Sequence, residues 1–216
     1  MKKRRIIVLL SACLVIGSVS VYAASPNPNI ETMQNVGQLF KSYENNTDDS
    51  IFAKGKSGGI ITKKDIEQAT EFYILAEYDK NTAREKAIDY MLKRDATYQK
   101  AISEGYTVTD DEVWAYLEEL KNIINEAVNK EEAQALINQF DSEEEYWQHE
   151  FEVYKINLPI EKYLEAEKKE YLEKSRATLN EKKNSTDPME EYNEHIESIQ
   201  NDLVESEQYE IMEWIR

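Results

Sequence analysis

The sequence predicts a mainly α-helical fold, a multi-helix lobe with one small β element that pairs residues near 51–61 with the C-terminal segment near 208–215. Three observations lead there. A Ser or Thr followed three residues later by a carboxylate occurs at Thr62-Lys-Lys-Asp65, Thr82-Ala-Arg-Glu85, Thr109-Asp-Asp-Glu112 and Ser142-Glu-Glu-Glu145, each ahead of apolar residues at helical spacing. All six glycines lie within the first 105 residues, so the rest of the chain lacks the residue on which tight turns depend. Short runs rich in β-branched and aromatic residues stand near 51–61 and 208–215.

The chain opens with Met1-Lys-Lys-Arg-Arg5 and an apolar run from Ile6 to Ala23 that closes on Val21-Tyr22-Ala23. A basic start, an apolar middle and a small-residue exit predict export, and residues 1–23 are assigned as a signal peptide or membrane anchor. Three fates are compatible with this segment. Cleavage after Ala23 frees the body. An uncleaved run of about 18 residues is just long enough to span a bilayer, with Lys2 to Arg5 held on the cytoplasmic side. Leu10-Ser11-Ala12-Cys13 also matches a bacterial lipobox, in which Cys13 would be lipidated. Each fate places the body outside the cytoplasm, secreted or at the cell envelope, and membrane contact is expected only through this segment.

Charge and composition exclude several function classes. With 26 basic and 43 acidic residues the formal net charge is −17, and loss of the four basic residues of the leader takes it to −21. Nucleic acid is not an expected partner, because affinity for phosphate backbones rests on Lys and Arg displacing counterions. One Cys and two His supply too few ligands for a disulfide framework or a Cys/His zinc site.

Residues 24–49 read as a linker with a weak helix, in which Ile30, Met33, Val36 and Phe40 share one face. A partly ordered tether and a docked helix both fit that pattern. The body, residues 50–216, begins with Ile51-Phe-Ala-Lys and Ile60-Ile61 around Lys56-Ser57-Gly58-Gly59, a short hairpin. The box at Thr62 opens a helix with Ile66, Ala69, Tyr73 and Ala76 on one face, and the box at Thr82 opens a second that Gly105 stops. From Thr109 a third helix carries Val113, Trp114, Tyr116, Leu117, Leu120 and Ile124. A short helix follows with Ala133, Leu136, Ile137 and Phe140, and then one capped at Ser142 that bears Tyr146, Trp147, Phe151 and Tyr154. Leu158-Pro159 is expected to interrupt that helix, since proline removes a donor and restricts its predecessor. Beyond it, a Glu/Lys-dense stretch to Lys183 predicts a helical arm with ion pairs on its exposed faces. Asp187-Pro188 starts the last helix, and Gln208 to Ile215 forms the returning strand.

Catalytic motifs are largely missing. His149-Glu150 has no second His at metalloprotease spacing, and no glycine loop of phosphate-cradling spacing or G-x-S-x-G elbow exists. Acids are too numerous for any one pair to single itself out as an acid/base dyad. No catalytic residue, metal or cofactor is therefore expected. The other unusual feature is 14 Tyr, a residue with an apolar body and a polar tip that suits adaptable contact with peptide. Tyr73, Trp114, Tyr116, Trp147, Phe151 and Tyr154 are the candidate peptide-contacting residues, although aromatics at helical spacing are chiefly a burial signal.

The stretch Ile51-Phe-Ala-Lys-Gly-Lys-Ser-Gly-Gly-Ile-Ile-Thr-Lys-Lys-Asp-Ile66 resembles the opening of SurA-type chaperone domains, where a strand, a glycine turn and Ile-Thr precede the first helix. Ala87-Ile-Asp-Tyr-Met-Leu92 and Ala101-Ile-Ser-Glu-Gly-Tyr-Thr-Val-Thr-Asp-Asp-Glu-Val113 resemble the same family's helix, glycine and Val-Thr-Asp-Glu-Glu-Val signature. The similarity covers about residues 50 to 216 and extends to the helical parts of PrsA-type foldases. It implies a SurA N-terminal-like lobe whose helices cradle unfolded or newly exported polypeptides, closed by a C-terminal element returning to the first strand. Full-length members often insert a glycine-rich parvulin prolyl-isomerase domain between helices that here are joined around residues 158–188. With no glycine after Gly105, that domain is expected to be absent, and no isomerase residue is carried over. The expected function is non-covalent binding of unfolded clients, with cationic clients favoured by the acidic surface. The alternative is an envelope or spore protein docking one specific envelope partner.

Overall fold

The computed structural model describes residues 29–44, 46–127, 130–178 and 188–212, with side-chain detail outside 175–178 and 188–190. The leader, with Cys13 and Ala23, and Trp214 and Ile215 lie outside the described residues. Mainly helical, the fold comprises α1 (Ile30–Glu44), β1 (Ile51–Lys54), β2 (Ile60–Thr62), α2 (Lys63–Leu75), α3 (Lys80–Ser103), α4 (Asp110–Glu126), α5 (Lys130–Ile137), α6 (Glu143–Thr178), α7 (Pro188–Glu207) and β3 (Glu210–Ile211). No helix among the described residues is long and apolar enough to cross a membrane.

Helix α1 is docked rather than a tether. Met33, Val36 and Phe40 are buried in the same core as Leu136, Phe140 and Tyr146. Gly37 makes this approach possible, because a Cβ there would lie 2.6 Å from the Leu136 carbonyl oxygen of α5. The polar side is tied by Lys41, which bridges Asp141 at 2.8 Å and also Glu145.

The predicted hairpin and the return of the chain end are both present. Strands β1 and β2 pair antiparallel with Ala53 opposite Ile61 and a bulge between Ile51 and Ala53, and β3 pairs on the other edge with Ala53 opposite Ile211. Side chains lock the closure: the Ser57 backbone N–H and hydroxyl both donate to the Glu207 carboxylate, and the Tyr209 hydroxyl donates to Asp95 at 2.7 Å. The sheet buries Phe52, Ala53 and Ile61 in one cluster with Ile66 of α2 and Met91 of α3.

Capping chemistry sets the helix starts. Thr62 and Thr109 are N-caps in complete reciprocal boxes with Asp65 and Glu112, each worth about 1 kcal/mol. The box at Thr82 does not form. Asp79 caps α3 instead, accepting from the backbone N–H groups of Asn81 and Thr82, while the Thr82 hydroxyl donates back to it at 2.6 Å. A carboxylate three residues earlier satisfies the first orphan donors of a longer helix, whose opening turn then includes Thr82. Gly105 ends α3 at φ +87°, a backbone region that costs a side chain.

Pro159 does not interrupt α6, which runs unbroken for 36 residues with the proline inside it. Leu158, Pro159, Ile160 and Tyr163 are all buried there. Each large apolar side chain contributes about 1.5–3 kcal/mol on burial, which together exceed the roughly 3 kcal/mol that proline costs a helix interior. Past Tyr163 the helix becomes the expected exposed arm, with a Glu170 to Lys174 ion pair. It is met by α7, whose His195 ring stacks on Tyr171 at 4.6 Å. Farther along, α7 packs along α3 and delivers the chain to β3.

Candidate functional site

A cleft of about 540 Å³ opens where α1, α2, α3 and the first half of α6 meet, a size that ligand sites commonly have. Its floor is apolar and aromatic: Phe72 and Tyr73 from α2, Tyr90 and Met91 from α3, and Val153 and Ile156 from α6. Helix α1 closes one end with Phe40, Tyr43 and Glu44, so the docking of that helix completes the wall. Polar groups stand around the mouth, among them Lys64, Gln68, Arg94, Gln148 and Glu152.

His149 joins the two walls. Its Nδ1 is hydrogen-bonded to the Glu44 carboxylate, and its ring stacks on Phe40 at 5.6 Å and lies 5.5 Å from Phe140. The hydrogen bond to His149 is the main reason the Glu44 carboxyl stays below its usual range, against the opposing effect of burial. At the same end, burial raises the Tyr43 hydroxyl, helped by the nearby charges of Glu67 and Glu71.

The six aromatics expected to touch peptide divide between two places. Tyr73 lines the cleft. Trp147, Phe151 and Tyr154 point the other way along α6 and are buried against α4, where Trp114 stacks on Phe151 at 4.7 Å and Tyr116 lies 4.8 Å from Tyr154. These five form an interhelical core. Val153, Ile156, Tyr43, Phe72, Tyr90 and Met91 also line the cleft and are not among the sequence candidates, because they are divided over four helices and only the fold brings them to one place.

Beneath the cleft wall α6 also buries an acid. Glu150 is fully buried and neither carboxyl oxygen has a hydrogen-bond partner, nor does the hydroxyl of the fully buried Tyr146. Burial pushes the Glu150 carboxyl up to about 7, against the opposing influence of His149 and of the neighbouring Tyr146. Being sealed in the core, this acid is placed to affect stability rather than to meet a ligand. Among the described residues no cluster of His, Cys, Asp or Glu could hold a metal ion. The arrangement is that of a concave, mainly apolar surface with polar groups at its rim, suited to non-covalent binding. No family model matches this chain, and no curated protein or solved structure matches it either.

Proposed function

We propose that this protein is an extracytoplasmic, chaperone-like module that binds unfolded or newly exported polypeptides non-covalently and carries no isomerase activity. The cleft is the observation that supports it most: a floor of aromatic, methionine and branched side chains accepts varied apolar side chains without demanding one shape. The order of elements agrees with the resemblance to SurA-type lobes, with a hairpin, two capped helices, a glycine stop, a third capped helix and a C-terminal strand returning to β1. Export through the basic and apolar leader remains part of the proposal.

Slowing of aggregation tests it. The protein at stoichiometric amounts should delay light scattering by several unrelated unfolded proteins, and Val153→Asp in the cleft should abolish the delay while the far-ultraviolet dichroism stays unchanged. Failure with every client, combined with tight binding to a single identified envelope protein, would favour the specific-partner alternative. Acceleration of prolyl isomerisation in a short peptide would contradict the absence of catalysis.

A further inference from the structure

The charges around the cleft are unbalanced, and the imbalance is local. Four carboxylates line it, from Glu44, Asp65, Glu145 and Glu152, against the two permanent cations Lys64 and Arg94. Both cations are already engaged: the Lys64 ammonium donates to the Asn46 carbonyl at 2.8 Å, and Arg94 donates to the Asn157 side chain at 3.3 Å. Three of the carboxylates are likewise held by the fold, Glu44 by His149, Glu145 by Lys41 and Asp65 by its capping box. Glu152 is different. Its side chain is 64% exposed, and Lys155 comes no closer than 3.9 Å while standing equally far from Asp110.

Two side-chain amides add a second constraint. Gln68 on α2 and Gln148 on α6 stand on opposite walls and make no hydrogen bond among the described residues. Amides so placed pair with both the N–H and the C=O of an extended main chain, which a lipid tail or a simple cation does not offer. Resting on the reading of the cleft as a client site, we propose that its preferred occupant is a polypeptide segment that sets a bulky apolar side chain on the floor and a neighbouring Lys or Arg against Glu152. An anionic segment would meet uncompensated negative charge there, in a chain whose formal charge is −17 throughout. Selectivity for cationic apolar segments thus comes from one lip, and affinity from the floor.

Fluorescence anisotropy with three labelled peptides and the full chain tests this. One peptide carries a Leu/Phe anchor flanked by Lys, a second the same anchor flanked by Glu, and a third Lys and Ser with no anchor. The Lys-flanked anchor should bind about tenfold more tightly than the Glu-flanked one at low salt, with the advantage shrinking as salt screens the exposed carboxylate. Glu152→Lys should remove that advantage, and Val153→Asp should weaken both anchored peptides, the Glu-flanked one more because the new carboxylate adds to the repulsion. Equal binding of the two anchored peptides, or an advantage untouched by Glu152→Lys, would overturn the charge preference and leave the client site standing. If neither anchored peptide binds, or Val153→Asp changes nothing, the client site itself falls. Self-association of the chain lost in Val153→Asp would assign the cleft to a second copy and overturn the proposal.

Discussion

Helix α6 presents two faces to two different surroundings. On one face Trp147, Phe151 and Tyr154 are buried at helical spacing against the rings of Trp114 and Tyr116. The other face carries Gln148, His149, Glu152, Val153 and Ile156 into an open cleft whose far walls are α1, α2 and α3. The first face does the work of holding α4 in place, and its side chains are spent on one another. Only the second leaves surface free for something else. A helix rich in aromatics can therefore be read wrongly as a binding surface, when the less conspicuous face beside it is the one left uncovered.

That division is best broken from its strong side. Trp147→Ala should lower the unfolding free energy in urea by about 3–5 kcal/mol, since it empties the space between α4 and α6. Trp114→Ala, partly exposed already, should cost less. A cleft-face substitution of similar size change should not approach either value.

Glu150 sharpens the comparison through pH. Its folded carboxyl titrates near 7 against an ordinary value of 4.5, so between those values the folded state holds a proton that the unfolded state has released. Stability from this group is therefore greatest below about pH 4.5, falls as pH rises towards 7 and is level above it, a loss of about 3 kcal/mol. Glu150→Gln should be more stable than the parent above neutrality by up to that amount and equal to it in acid, as read from urea midpoints at a series of pH values. A parent whose midpoint shows no extra fall across that interval relative to the variant would mean that the carboxyl is not sealed.

Smaller effects are expected where elements meet the site. Gly37→Ala places a methyl group against the Leu136 carbonyl oxygen and should cost about 1–3 kcal/mol, with weaker peptide binding because α1 forms one end of the cleft. Val153→Ala should change stability by less, about 1 kcal/mol for a half-exposed position, and yet reduce client binding several-fold. The opposite order, a large stability loss with intact binding, would erase the distinction between the two faces.

Local features were legible in the sequence where one short segment contains all of its own causes. The hairpin turn, the caps at Thr62 and Thr109 and the stop at Gly105 each depend on a few neighbouring residues. The return of the C-terminal strand to β1 was legible for another reason, since only two stretches of the body had strand character. Competition and tertiary packing hid the rest. Asp79 displaced Thr82 as a cap because the helix starts three residues earlier, where the Asp79 carboxylate meets the N–H groups of Asn81 and Thr82, and Pro159 stayed inside a helix because its neighbours are buried on both sides. The cleft was legible only at Tyr73. Its residues come from four helices; those on α6 recur at helical spacing from Glu145 to Ile156, but most of them are polar, so the stripe reads as a solvated face and nothing local says that four such faces meet.

Site-specific photocrosslinking separates the two faces of α6 most directly. A photoreactive side chain placed at Ile156 or Gln148 should capture an unfolded client on illumination. The same group at Trp114, half-buried against α6 on the side away from the cleft, should capture none while the chain remains folded. Capture from Trp114 with none from Ile156 and Gln148 would contradict the assignment of the cleft as the client site and return that role to the aromatic face.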